Sequence, residues 1–411
     1  MTTGLIRGLM ENSTRGVMGA DLLSWIAILR ANRFQISPSR LHLAALATAF
    51  SSSNLVFKTL NGCLRAQRKK RIGRPIRPVF IIGHWRSGTT LLHELMTIDP
   101  RNVAPTSWEC VGVHMAPWIS ERSARFLPLR IPASRPFDNV QLGWESPQED
   151  EFALCNLGVP STYHRFYFPT TNSDVDRFLA IAKDTRVAPA LSRFLDQLAW
   201  IRCVKRPRAG SQNGGPSEEP LHVVLKSPTH TWRVDELRRA FPDARFLHIT
   251  RSPYEVYRST KNLWEKLCAH QGLQRPRFST EAGQRDLEDF VVRVFADMHQ
   301  TLDSALESWR SDGDGFEQRY HQVPYEAIDP TRHPAPAVID RLRSAYEDLG
   351  LHQEESQGAL PADVTDRLGE SLEGKSRYVK NRFDELPPTL IDRLNREWRG
   401  YFDAHEYAMK S

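Results

Sequence analysis

The chain has 411 residues, 40% of them apolar with ten Trp and nineteen Phe, and carries 55 Lys and Arg against 49 Asp and Glu. That length suits one large α/β domain with a helical extension, with ample core material. The mild basic excess is spread over many Arg, so it suits an anionic ligand without calling for a nucleic-acid partner. Five cysteines at 63, 110, 155, 203 and 268 form no C-x-x-C pair, which leaves neither a disulfide framework nor a zinc site. No signal peptide is visible, because Arg7 and Glu11 interrupt the first apolar stretch, and 41–50 is too short to span a bilayer. The reading is of a soluble, cytoplasmic protein with reduced thiols.

Residues 1–75 read as a helical extension, with Leu22, Ile26, Ile28 and Leu29 as a partial stripe and 41–50 as a second helix. It ends in Arg68-Lys-Lys-Arg71, an exposed linker whose alternative is a peripheral contact with a membrane surface or an acidic partner. A main domain is expected over 76–405. There a short apolar strand at 78–83 precedes a helix at 89–98 with Leu91, Leu92, Leu95 and Met96 inward. After a long interval come a strand at 221–225, a helix at 230–241, a strand at 244–250 and a helix from Pro253. This alternation predicts a three-layer α/β fold around a central, mostly parallel sheet. The Gly-rich segment 205–220 is a surface loop, and 290–309 and 387–401 are later helices.

Between the first strand and its helix, Gly83 and Gly88 stand at the spacing of G-x-x-x-x-G, but Thr89 occupies the place of the phosphate-binding lysine. A glycine turn into a helix aims backbone N–H groups at one point, where the helix dipole adds positive potential. Arg86 places a cation inside the loop, and Ser87, Thr89 and Thr90 add hydroxyl donors. Lys226 and Arg251 follow two predicted strands, at the edge where open α/β sheets bind ligands. Ser259, eight residues after Arg251, falls on the next helix, so the two could clasp one phosphate.

With these residues in view, the chain resembles sulfotransferases that use 3′-phosphoadenosine 5′-phosphosulfate (PAPS), in the bacterial branch related to tyrosylprotein sulfotransferases. His84-Trp-Arg-Ser-Gly-Thr-Thr90 is similar to the family's 5′-phosphosulfate loop, with Trp85 where many members have Pro. Arg251…Ser259 resembles the 3′-phosphate motif, and Lys226-Ser-Pro the Lys-x-Pro that precedes it. Val323-Pro-Tyr-Glu326 and 345–351 resemble later landmarks. The resemblance implies a P-loop-like fold and a metal-independent transfer of a sulfuryl group to a hydroxyl, less readily an amine. The acceptor class is a glycan, a lipid or a small molecule.

By the same resemblance, Arg86 serves the phosphosulfate with Ser87, Gly88, Thr89 and Thr90, Lys226 serves the sulfuryl or leaving oxygens, and Arg377 in the basic segment 375–382 meets the adenine end. Glu109, twenty-three residues after Arg86, is the first choice of base. Glu149, Asp150 and Glu151 are the rival set, although adjacent carboxylates also favour a helix N-terminus. His84, His93, His114, His164 and His230 are further candidates. The aromatic stretches 117–137 and 163–169 are expected to wall the acceptor. A P-loop kinase and a noncatalytic PAPS-binding protein stay open as alternatives.

Overall fold

The computed structural model describes residues 16–127, 141–184, 186–205, 219–352, 360–377 and 383–410. Its five strands are β1 (Ile76–Ile82), β2 (Asn102–Val103), β3 (Leu221–Lys226), β4 (Arg245–Thr250) and β5 (Tyr320–Pro324), in the sheet order β2-β3-β1-β4-β5. The principal helices, in chain order, are α1 (Leu22–Ala31), α2 (Leu41–Lys70), α3 (Thr89–Met96), α4 (Ser107–Val111), α5 (Glu151–Asn156), α6 (Val187–Trp200), α7 (Val234–Ala240), α8 (Pro253–Gln271), α9 (Glu281–Asp312), α10 (Ala335–Asp348), α11 (Ala362–Ser376) and α12 (Pro388–Glu397). The chain groups into two compact units. One comprises 1–76, 103–221 and 262–287, the other 77–102, 222–261 and 288–411.

The second unit holds most of the sheet. β1 pairs in parallel with β4, Val79 opposite Arg245 through Ile82 opposite His248, and β4 pairs in parallel with β5. Helices flank the sheet, and a parallel sheet covered in this way reads as unbroken apolar strands. Accordingly every residue of β3 is buried, as are the last five of β1. Val79, Ile81, Leu247 and Ile249 share one core with Leu92, Leu95 and Met96 of α3, Leu342 and Tyr346 of α10, and Leu368 of α11. β5 has no counterpart in the sequence reading. It is short, only Val323 is buried, and Pro324 ends it, as suits an edge strand.

The first unit is helical. Asp21 caps α1 by accepting from the N–H groups of Leu23 and Ser24, and Trp25 is fully buried with its indole N–H donating to Thr48 at 2.9 Å. The helix expected at 41–50 runs on to Lys70. Nothing between 50 and 70 breaks a helix except Gly62, and a single exposed glycine costs only about 1 kcal/mol. The helix expected from His230 instead opens as a 3₁₀ segment, Pro228–Arg233, before α7. Proline fixes φ there and fits a helix start.

Candidate active site

In the strand order β3-β1-β4-β5, four neighbouring strand ends bring together residues far apart in sequence. Lys226 is the last residue of β3, the Gly83–Gly88 turn leaves β1, Arg251 follows β4, and Tyr325 follows β5. Both glycines have positive φ, 137° and 103°. A Cβ on Gly83 would lie 2.5 Å from the Ile249 carbonyl, and one on Gly88 would lie 2.4 Å from the Tyr325 ring. The glycines are therefore required by packing as well as by backbone geometry. The Gly83 N–H donates to the Thr231 hydroxyl at 2.9 Å, and Ser87 donates from its hydroxyl to the His84 carbonyl at 2.8 Å. No side chain caps the N-terminus of α3 at Gly88, and the positive end of a helix favours an anion.

Arg86 also has positive φ, 70°, a conformation that costs a non-glycine residue about 1–3 kcal/mol and persists only when its surroundings fix it. Two contacts do so. Its Nε donates to Ser259 Oγ at 2.7 Å, and its carbonyl accepts from Arg251 Nη1 at 2.9 Å. The loop cation and both members of the Arg251…Ser259 pair thus form one linked group. Lys226 is 1% exposed, and its ammonium donates to Thr90 Oγ1 at 3.5 Å. Thr89 is buried at the head of α3.

The Arg251 turn has its own frame, which sequence reading did not assign. The Arg251 guanidinium lies over the Tyr325 ring at 4.3 Å, a cation–π contact. Glu326 accepts from the Ser252 N–H at 3.0 Å and from the Tyr407 hydroxyl at 2.9 Å. The Tyr401 hydroxyl accepts from the Arg251 N–H at 3.1 Å and donates to the Arg251 carbonyl at 3.2 Å. Val323-Pro-Tyr-Glu326 therefore acts by holding the turn that carries Arg251.

The base candidates lie in the first unit on adjoining segments. Backbone N–H groups of Ser107, Trp108 and Gln148 donate to Ser146, Trp144 and Pro105 at 2.9–3.0 Å, so Glu109 and the 149–151 set belong to one neighbourhood. Glu109 is fully buried and closes a capping box with Thr106, whose N–H donates to Glu109 Oε2 at 2.9 Å. Arg202, from the π-helical turn Ile201–Lys205 after α6, donates to the same oxygen at 2.6 Å. Glu109 Oε1 is buried and makes no hydrogen bond among the described residues. By contrast, Glu149 accepts from the Tyr163 hydroxyl and Glu151 from Ser161. Asp150 is buried just before α5. Arg202 was not legible in the sequence, because its partner is 93 residues away and no short motif joins them.

The remaining candidates scatter. Arg377 is exposed at the C-terminal cap of α11, and the rest of its basic segment, 378–382, lies outside the described residues, as do 128–137 of the proposed acceptor wall. Phe166, Tyr167 and Phe168 are buried, Phe166 packing on Trp264 at 4.5 Å. His93 is buried in α3, and His230 packs edge-on against Phe80. His114 and His164 are both depressed to about 4 by burial.

His84 belongs to a group with the buried His248 and His299 and the half-buried His405, ring centres 5.8–6.5 Å apart. Burial lowers His84 and His405 to about 4 and His248 to about 3, and holds His299 well below 6.5. A histidine whose folded pKa is depressed binds its proton more readily when unfolded. Its neutral form is therefore no handicap above about pH 6.5, and stability is lost as the pH falls from there toward 4. For His84 alone the expected loss by pH 5 is about 2 kcal/mol, read as a lower urea midpoint at pH 5 than at pH 7. Equal midpoints would contradict the buried, neutral cluster.

A helix N-terminus behind an arginine-bearing glycine turn, with a lysine and a second arginine at adjacent strand ends, forms a cationic cradle suited to an anionic group. Thr89 stands where a nucleotide-binding P-loop carries its phosphate lysine. The fold is shared with enzymes that transfer sulfuryl groups. Residues 78–338 match the sulfotransferase family model, and the chain belongs to that family. It is 33% identical over 407 residues, 95% of this chain and 90% of the relative, to the omega-hydroxy-beta-dihydromenaquinone-9 sulfotransferase Stf3 of Mycobacterium bovis, and equally to that of Mycobacterium tuberculosis. Its fold is similar to crystal structures of sulfotransferase STF9 from Mycobacterium avium (16% identity, TM-score 0.61, covering 93% of this chain and 91% of that one) and STF1 from Mycobacterium tuberculosis H37Rv (15%, 0.55, 86% and 90%).

Proposed function

We propose that this sulfotransferase uses PAPS and acts on a hydroxyl carried by a long apolar molecule of the prenylated-lipid class. The observation that carries the donor reading is the linked group Arg86–Ser259–Arg251 at the ends of β1 and β4. The acceptor reading is supported by the menaquinone-derived substrate in the name of the 33% identical relative. When bound, PAPS supplies an activated sulfuryl group joined to a phosphate leaving oxygen. The helix α3 N-terminus with Ser87, Thr89 and Thr90 holds the 5′-phosphosulfate, and Arg86 neutralises charge developing on the leaving oxygen. Lys226 offsets charge on the sulfuryl oxygens. Arg251 and Ser259 hold the 3′-phosphate, and Arg377 remains the candidate for the adenine end.

Glu109 is the base candidate that the family resemblance supplies; Arg202 and Thr106 fix its Oε2, which leaves Oε1 as the oxygen to take a proton. A sulfuryl group carries less charge than a γ-phosphoryl, so fixed cations suffice where phosphoryl transfer uses Mg²⁺. No described helix is long and apolar enough to cross a membrane. The cytoplasmic placement belongs to this proposal and is supported by cysteines that are few, scattered and in no C-x-x-C pair.

The donor assignment is tested by calorimetry with adenosine 3′,5′-bisphosphate. Removing the Arg251 guanidinium deletes charge-assisted hydrogen bonds worth about 1.5–3 kcal/mol each, so Arg251→Ala is expected to weaken binding about 10–100-fold. Affinity equal to wild type would remove Arg251 from the donor site. The acceptor assignment is tested with alcohols of increasing isoprenoid length, for which kcat/KM is expected to rise with length; a preference for short polar alcohols would overturn it.

A further inference from the structure

Helix α2, in the first unit, contains no Asp or Glu in its thirty residues. The acid-free stretch is longer than the helix. No acidic residue occurs between Asp21 and Glu94, an interval that holds twelve Lys and Arg, although the whole chain is nearly balanced at 55 basic to 49 acidic residues. Segregation on that scale creates a local positive field that the net charge conceals.

The outward face of α2 is unusual in a second respect. Leu41, Ala45, Ala49, Val56, Leu60 and Cys63 are all exposed and recur at intervals of three, four or seven, which places them on one stripe. Leu41, Val56 and Leu60 are 56%, 59% and 43% exposed. No exposed residue of the helix before Arg65 is charged. The stripe is about 30 Å long at 1.5 Å per residue, then gives way to Arg65, Lys69, Lys70 and Arg71, all exposed.

Beside that transition stands Trp118, 37% exposed, whose indole N–H donates to Asn61 Oδ1 at 2.8 Å. The Arg68 guanidinium and the Lys205 ammonium lie 5.1 and 5.8 Å from its ring. An indole ringed by cations at the end of an uncharged, part-apolar helix face has the composition of a segment lying in a headgroup layer.

We infer that this face of α2, with Trp118 and the basic cluster at 65–71, docks on an anionic lipid bilayer. Charge decides the occupant. A second copy would bring the same basic cluster against itself, with only Asp196, 3.6 Å from Lys69 and 3.9 Å from Arg65, to offset it, and an acidic protein would pair with the cluster but leave the long uncharged stripe unmatched. Anionic lipid meets both, phosphates on the cations and acyl chains against Val56 and Leu60. The inference does not rest on the acceptor assigned above, since docking is measured without any sulfuryl transfer.

The test is co-sedimentation of the full chain with vesicles of phosphatidylcholine alone or mixed in equal parts with phosphatidylglycerol. Binding is expected to be about tenfold stronger to the mixed vesicles and to fall with added salt. The double substitution Val56→Asp with Leu60→Asp is expected to lower it about tenfold. Arg341→Glu, a charge change on α10, should leave it unchanged. Because Val56 and Leu60 are exposed, the double variant should keep the wild-type melting temperature and its transfer rate on detergent-dispersed acceptor. Equal binding to both vesicle types, or wild-type binding by the double variant, would overturn the proposal. So would a concentration-dependent dimer in sedimentation velocity that the same double substitution abolishes, because it would assign the stripe to a second copy.

Discussion

Glu109→Gln is expected to lower turnover by about 10²–10⁴-fold, the range for removing a general base, with affinity for adenosine 3′,5′-bisphosphate unchanged. Glutamine keeps the size of the side chain, and its amide oxygen can still accept from the Thr106 N–H and from Arg202, which also has Glu121 at 3.6 Å. What the substitution removes is the carboxylate oxygen Oε1, buried and without a hydrogen bond among the described residues. Losing one partner of a buried ion pair also costs stability, about 3–5 kcal/mol in the unfavourable case, so the readout must separate the two effects. A base role predicts a fall in kcat with KM nearly constant, partial recovery in Glu109→Asp, and loss of the acidic limb of the pH–rate profile. Wild-type turnover in Glu109→Gln would remove it from the mechanism. Glu149→Gln and Glu151→Gln should cost far less, because those carboxylates already accept from Tyr163 and Ser161. A loss confined to either would transfer the base role there.

Arg86→Ala should reduce kcat by about 10²–10³-fold, comparable to deleting one preorganised donor from a site of developing negative charge. The strained backbone at Arg86 is held by Ser259 and Arg251, so its guanidinium is positioned before substrate arrives. Such preorganisation is what makes a cation effective in a transition state. Arg86→Lys keeps the charge but not the planar fork, and is expected to fall between wild type and alanine. Ser259→Ala should loosen the Arg86 side chain and weaken donor binding together. Turnover at the wild-type level in Arg86→Ala, measured with saturating donor and acceptor, would rule out its role on the leaving oxygen.

The parts legible in sequence are those whose physics is local. Gly83 and Gly88, the arginine between them and the hydroxyls after them occupy a single turn, and the β–α alternation around them gives the parallel sheet directly. Lys226 and Arg251 could be located because strand ends in such a sheet share one edge. Contacts made across the fold were not legible. Arg202 reaches Glu109 from a π-helical turn, Tyr401 and Tyr407 return from the end of the chain to Arg251 and Glu326, and β5 is too short and too exposed to give a periodic signal. The extent of α2 was hidden for a different reason. Its outward face lacks the charged residues that ordinarily mark a solvated helix, so the pattern beyond residue 50 gave no alternation to read.

The central claim is that the turn from Gly83 to Thr90 serves sulfuryl rather than phosphoryl transfer. Its most direct test is to supply the enzyme with PAPS labelled in the sulfuryl group, and separately with ATP labelled in the γ-phosphoryl group, in the presence of a long-chain isoprenoid alcohol. The expected result is label moving from PAPS into the lipid phase with stoichiometric release of adenosine 3′,5′-bisphosphate, abolished in Arg86→Ala, and no transfer from ATP. Label arriving from ATP, or tight PAPS binding with no transfer to any alcohol, would contradict it.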